Sequence, residues 1–117
     1  MKNYVDLIGR TGNDVKTTNF ENGGQVSKFS LATNKTVKKQ EGAKEQKAVW
    51  HQIVAFGKLA EFAQQYVQKG ELINVIGEIQ YREYDDKEGN KKYITEIVAD
   101  KIIFLSPKSD PVSEGQD

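Results

Sequence analysis

Hydrophobic and polar positions alternate over much of the chain, which is the pattern of half-buried β-strands. Residues 4–9 put Val5 and Leu7 on one side and more polar neighbours on the other. Residues 26–34 alternate again after a threonine-rich segment at 15–20 and the turn sequence ENGGQ. Two glycines after an asparagine favour a tight turn, so the pattern predicts a β-hairpin there.

A polar, lysine-rich segment follows at residues 35–48, KTVKKQEGAKEQKA. It lacks a periodic apolar pattern and contains one glycine. We therefore expect a long, mobile loop between two strands.

The next segments alternate between strand and helix patterns. Residues 49–56 and 72–84 alternate as strands, whereas 58–68 has an apolar stripe at helical spacing. Glu61 near the start of this helix and Lys69 near its end would favour the helix dipole, and Gly70 would end it. Strands at 92–98 and 102–105 complete the sheet.

These elements predict an all-β protein with an OB-fold, a five-stranded, partly open Greek-key barrel with one helix between the third and fourth strands. Gly77 is expected to mark a bulge or a sharp bend at a barrel corner. An open five-stranded sandwich is the alternative.

Length and composition narrow the picture further. The 117 residues suit one domain, at residues 1–105, followed by a short, disordered acidic tail at 106–117. The chain contains no cysteine and no long apolar run, and its first residues do not resemble a signal peptide. We expect a cytoplasmic protein without a membrane segment. The net charge is zero, but the tail is acidic, so residues 1–105 are slightly basic.

No pattern predicts a catalytic, cofactor or metal site. The single histidine, His51, shares its strand face with Ile53 and Ala55. The acidic run DDKEGN lacks the spacing of a calcium loop, and no glycine-rich phosphate loop is present. We therefore expect a protein that is not an enzyme and that needs neither cofactor nor metal.

Aromatic residues offer a different chemistry. Trp50 and Phe56 share a strand face with Gln52, and Tyr84 shares another with Arg82 and Gln80. Aromatic rings beside cationic side chains suit single-stranded nucleic acid, because any base can stack on them. Alternatively, Trp50, Val54 and Phe56 are core residues; the pattern alone favours neither interpretation.

Three segments carry a resemblance to a known family: LATNK at 31–35, VWHQIVAFGKLAEFAQQYVQKG at 49–70 and VIGEIQYREYDDKEGNKKYITEIVADKIIFL at 75–105. Together they resemble the bacterial single-stranded DNA-binding proteins (SSB) over residues 3–105. The resemblance implies a protein that coats single-stranded DNA with little sequence preference and protects it in replication, recombination and repair. It also implies association with the nucleoid.

The same resemblance implies roles for individual residues. Trp50, Phe56 and Tyr84 would stack on bases. Cations along the strand would come from Arg82, Lys58, Lys69 and Lys35, where Lys35 begins a loop over DNA. His51 would lie at a subunit interface, to which we also assign Tyr4 and Asp6. The implied assembly is a homotetramer, with a dimer as the alternative.

The chain departs from the family pattern in two places. Val37 lies where a fourth stacking aromatic is expected, and Tyr84 replaces a more frequent tryptophan, so weaker binding is expected. The tail SPKSDPVSEGQD lacks the acidic, hydrophobic tip that recruits replication and repair proteins. The alternative function is an OB-fold protein-interaction adaptor of the primosome type, with weak DNA binding.

Overall fold

The computed structural model describes residues 1–105. Along the chain they form β1 (Val5–Thr11), β2 (Lys16–Asn19), β3 (Gln25–Lys38), β4 (Lys44–Phe56), α1 (Gly57–Tyr66), β5 (Leu72–Asp85) and β6 (Lys91–Phe104). The predicted tail at 106–117 lies outside the described residues.

The five long strands close into a barrel. They pair in the order β1-β5-β6-β4-β3, and β3 pairs back to β1. All these pairings are antiparallel except the short β4–β6 contact, where Ile53 pairs with Ile97 and Val54 with Val98. This architecture confirms the predicted OB-fold, with α1 between the third and fourth long strands. The short β2 is an additional strand that pairs with β3 across the predicted hairpin.

The lysine-rich segment at 35–48 is not a loop, so that prediction was wrong. The β3–β4 ladder continues outward until Lys38 pairs with Lys44, and only residues 39–43 form the turn. Gly42 adopts a φ of 83° there, which a side chain would disfavour. Most side chains of this hairpin arm are exposed. An arm that covers no core needs no apolar alternation, so the strand pattern was invisible in the sequence.

Helix α1 is shorter than predicted at its C-terminal end. It ends at Tyr66 because Val67 leaves the helix in an extended conformation and is buried in the core. The first turn of the helix has no acidic residue and its last turn no basic residue, so the predicted dipole roles of Glu61 and Lys69 were wrong. Gly70 follows the helix rather than capping it, and its backbone N–H donates to the carbonyl of Thr11 at 2.9 Å.

The core lies between the inner face of the barrel and α1. Phe29, Leu31, Ile53, Ile73 and Val75 are its largest fully buried apolar side chains. Ser27 is also buried, and its hydroxyl donates to the carbonyl of Ala60 at 2.7 Å, which ties the helix to β3.

Gly77 confirms the predicted bulge. The β5–β6 register shifts between Ile76 and Gly77, and a Cβ at Gly77 would overlap the carbonyl of Val98. The absence of a side chain therefore allows the two strands to bend closely around each other.

Candidate nucleic-acid interface

Trp50 and Phe56 lie on the outer face of β4. Their side chains are 56% and 54% exposed, whereas Ile53 on the other face is fully buried. Val54, between them, is 3% exposed. In this chain the core interpretation is therefore right for Val54 and wrong for the two aromatics. Gln52 is exposed beside them, so the face presents two rings separated by the exposed Gln52 and the buried Val54.

The loop after β1 supports the indole of Trp50. A Cβ at Gly12 would overlap Cζ3 of Trp50 and would lie 2.6 Å from its Cη2, so the ring packs directly on the backbone of Gly12. The backbone N–H of Gly12 donates to the carbonyl of Ser30 at 3.0 Å. Asn13 Oδ1 accepts bonds from the N–H and the hydroxyl of Ser30, both at 3.0 Å. These contacts fix the surface behind the ring.

Arg82 on β5 is held by a carboxylate of β6. Its Nε and Nη2 donate to the two oxygens of Glu96 at 3.2 and 3.1 Å. The side chain of Glu96 is 8% exposed, and that of Arg82 is 43% exposed. The hydrogen bonds and the charge of Glu96 raise the pKa of Arg82 above its usual value. Arg82 is therefore a fixed guanidinium whose charge is balanced, while Tyr84, two residues along, is 47% exposed.

A shallow groove of about 230 Å³ lies between the β3–β4 pair and the β5–β6 pair. Of the predicted residues it brings together Phe56, Gln80 and Arg82. Its other lining residues were missed: Phe20, Val26, Lys28, Val54 and Glu96. Phe20 is 49% exposed and directly precedes the turn, a position that gives no periodic signal. Only the closure of the barrel shows that it lies near β5.

Trp50 lies farther along the same face of β4. Phe56 follows it by six positions, which corresponds to about 20 Å along an extended strand. The two rings can therefore contact different nucleotides of one strand, but not the same base.

The predicted lysines lie in different places. Lys58 is exposed at the second position of α1, and Lys69 is exposed in the turn between α1 and β5. The register places Lys35 opposite Lys47, on the same side of the hairpin arm as His51 and opposite to Trp50. By the same register, Lys38 and Lys44 share the side of Trp50. This pair could not be found from the sequence, because the arm has no periodic apolar pattern and was predicted to be a loop.

The predicted interface residues lie in two places: on β4, and on or just before β1. Strand β3 pairs with both strands and lies between them. His51 is half-buried on β4, points away from Trp50 as expected, and its Nε2 lies 3.0 Å from the hydroxyl of Thr33. Tyr4 is exposed just before β1, and Asp6 on β1 accepts a hydrogen bond from Asn74. Beside them Ile8 is 58% exposed, which leaves apolar surface uncovered on the outside of β1.

Within residues 1–105, no group of His, Cys, Asp or Glu has the arrangement of a metal site. No helix in the same range is long and apolar enough to span a bilayer.

Comparison with known proteins agrees with this geometry. The model of the single-strand binding protein family matches residues 2–105. The chain belongs to this family. The resemblance found in the sequence motifs is thereby confirmed.

Individual members of the SSB family are similar over most of the chain. Single-stranded DNA-binding protein 1 of Chlorobaculum tepidum is 42% identical over 107 residues, which are 91% of this chain and 66% of that protein. For the protein of Xanthomonas campestris the identity is 38%, over 92% of this chain and 63% of the relative. Single-stranded DNA-binding protein 2 of Staphylococcus aureus is 40% identical, over 93% and 77%. The chain thus spans slightly less than two thirds of the first two relatives.

A solved structure shows the same fold. The Plasmodium falciparum SSB in complex with ssDNA superposes with a TM-score of 0.82 at 29% identity. The match covers 91% of this chain and 97% of that chain.

Proposed function

We propose that this protein binds and coats single-stranded DNA with little sequence preference. The observation that carries the proposal is the exposed ring of Trp50, which packs on Gly12 and shares its strand face with the exposed Phe56. A core tryptophan would be buried, whereas a stacking surface must be open on one side. The similar proteins named above, one of them solved with ssDNA, support the same conclusion.

In this proposal, stacking and phosphate contacts make different contributions to DNA binding. Each base that stacks on Trp50, Phe56 or Tyr84 contributes about 1–3 kcal/mol regardless of its identity. Exposed lysines, among them Lys58 and Lys69, attract phosphates and make binding salt-dependent. By binding the unpaired strand, the protein opposes hairpins and reannealing through mass action, without a catalytic step.

The proposal extends to the biological setting. The protein would protect single strands during replication, recombination and repair, at the nucleoid in the cytoplasm. It would act as a homotetramer, for which the uncovered apolar surface at Ile8 and the position of His51 are the supporting features.

Titration with oligo(dT) while the fluorescence of Trp50 is recorded tests the proposal. The chain has one tryptophan, so the signal reports one position. We expect strong quenching by the single strand, none by a duplex of the same length, and weaker binding at higher salt. No quenching and no salt-dependent binding would contradict the proposal and favour the protein-interaction adaptor.

A further inference from the structure

The groove between Phe20 and Phe56 has features that a generic stacking face does not need. Thr18 on β2 and Phe56 on β4 both pair with Val26 of β3, so their side chains share one face of the sheet. Phe20 follows Thr18 by two residues and lies on the same face. Both aromatic rings are about half exposed, and both line the groove.

The groove is small. Its volume of about 230 Å³ lies below the ≈300–1,000 Å³ of pockets that enclose drug-sized ligands. Its walls are apolar at Val26 and Val54; Gln80, Arg82 and Glu96 supply polar groups from β5 and β6, and Lys28 supplies an ammonium group from β3. The donors and acceptors on β5 and β6, beside apolar walls, fit a single planar base whose polar edge points toward these two strands.

Arg82 presents a defined set of donors to that edge. Glu96 accepts from Nε and Nη2, which leaves Nη1 and the second hydrogen of Nη2 to donate elsewhere. Two adjacent donors match a base edge that carries two adjacent acceptors. Guanine has such an edge in O6 and N7, whereas adenine pairs an acceptor with a donor at the corresponding positions.

We propose that this groove is a base-binding pocket that prefers guanine, with the base held against Phe20 and Phe56 while Arg82 donates to its O6 and N7. The proposal deepens the function proposed above and rests on it. It also assigns Arg82 to a base edge instead of a phosphate, because Glu96 already balances its charge. One position with a preference among otherwise tolerant stacking contacts leaves overall binding nearly independent of sequence.

The test compares oligo(dT) with oligonucleotides of the same length that carry one central guanine, adenine or cytosine. Competition against quenching of Trp50 gives the relative affinities at two salt concentrations. We expect the guanine strand to bind at least about fivefold more tightly than oligo(dT), the lower end for a bidentate arginine–guanine contact. Equal affinities would overturn the proposal, while oligo(dT) binding would still uphold the general function. If no single strand quenches Trp50, the general function fails, and this proposal fails with it.

A double variant separates base contact from phosphate contact. Arg82→Gln with Glu96→Gln removes both charges together and leaves two amides that can pair, so no buried charge is stranded. We expect it to lose the guanine preference and keep the salt dependence of oligo(dT) binding. If the salt slope falls instead by the ~0.7 expected for one lost phosphate contact, Arg82 is a phosphate contact and the proposal is wrong.

Phe20→Leu provides an independent variant. The ring of Phe20 is 49% exposed, so its replacement by a leucine side chain should leave the barrel folded. It should lower the guanine preference without changing the salt slope. Lys101→Gln, an exposed lysine of β6 outside the groove, is the control and should keep the preference. A preference that persists in both the Phe20 variant and the double variant would refute the assignment.

Discussion

The indole of Trp50 packs on the α-carbon of Gly12, in the space that any other side chain would occupy. Gly12→Ala should therefore displace the ring. We expect weaker binding to oligo(dT), by up to the about 1–3 kcal/mol of one stacked base, and a shifted Trp50 emission without DNA.

The control for this prediction is a double-mutant cycle. In a Trp50→Ala background, Gly12→Ala should cost little further affinity, because the ring that it displaces is already gone. Fully additive losses would show that Gly12 acts independently of Trp50.

Removal of either exposed ring should weaken binding and spare the fold. Trp50→Ala and Phe56→Ala should each cost about 1–3 kcal/mol of DNA affinity in equilibrium titrations. Binding by the Trp50 variant has to be followed with a labelled oligonucleotide, since the chain has no other tryptophan. Ile53→Val is the control: this buried residue on the other face of β4 does not line the groove, so the change should lower the free energy of unfolding by about 1 kcal/mol and alter affinity little. Unchanged affinity in folded ring variants would assign Trp50 and Phe56 a structural role.

The hairpin arm offers a comparison between its two sides. Lys38 and Lys44 share the side of Trp50, whereas Lys35 and Lys47 share the opposite side. Lys38→Gln with Lys44→Gln should reduce the slope of log affinity against log salt by about 1.4, because each phosphate contact on a single strand accounts for ~0.7 of that slope.

The control pair, Lys35→Gln with Lys47→Gln, should change that slope much less. The reverse result would support the role that the family resemblance implies for Lys35, and would show that the arm bends or that DNA passes on its other side.

Assembly is predicted to depend on His51. Its side chain already contacts Thr33 within the single chain. A bulkier side chain at position 51 should therefore change the shape of the surrounding surface. We expect His51→Phe to lower the oligomer mass measured by sedimentation at micromolar concentration, with Tyr66→Phe on the exposed side of α1 as a control that keeps the mass. A tetramer that resists dilution equally in both proteins would exclude this role for His51.

Strand periodicity was sufficient to predict the barrel, because its inner residues must alternate with outer ones. It could not decide whether Trp50 was buried, since either face of β4 has enough apolar residues to form a core. The burial of Ile53 and the exposure of Trp50 required the three-dimensional structure. Periodicity also failed for the outer part of the hairpin arm, where no core imposes a pattern.

Contacts between distant segments could not be predicted from the sequence. Gly12 and Trp50 are 38 positions apart, and Arg82 and Glu96 are 14 apart. A glycine in a loop and an arginine on a strand have many interpretations until the partner of each is known. Phe20 likewise becomes a candidate only when barrel closure brings β2 near β5.

Strands β4 and β6 pair over a short stretch. Only the pairs Ile53–Ile97 and Val54–Val98 join β4 to β6 among the described residues, whereas β3 and β4 are paired over 13 positions. The groove lies across this short pairing, with Phe56 on one side and Arg82 on the other. A strand of DNA that contacts both residues would hold β4 and β6 together at one of the two short pairings of the barrel, the other being that of β1 with β3. Amide hydrogens of Ile53 and Ile97 should then exchange more slowly in the complex, and heat would have to detach the ligand before it opens the barrel there.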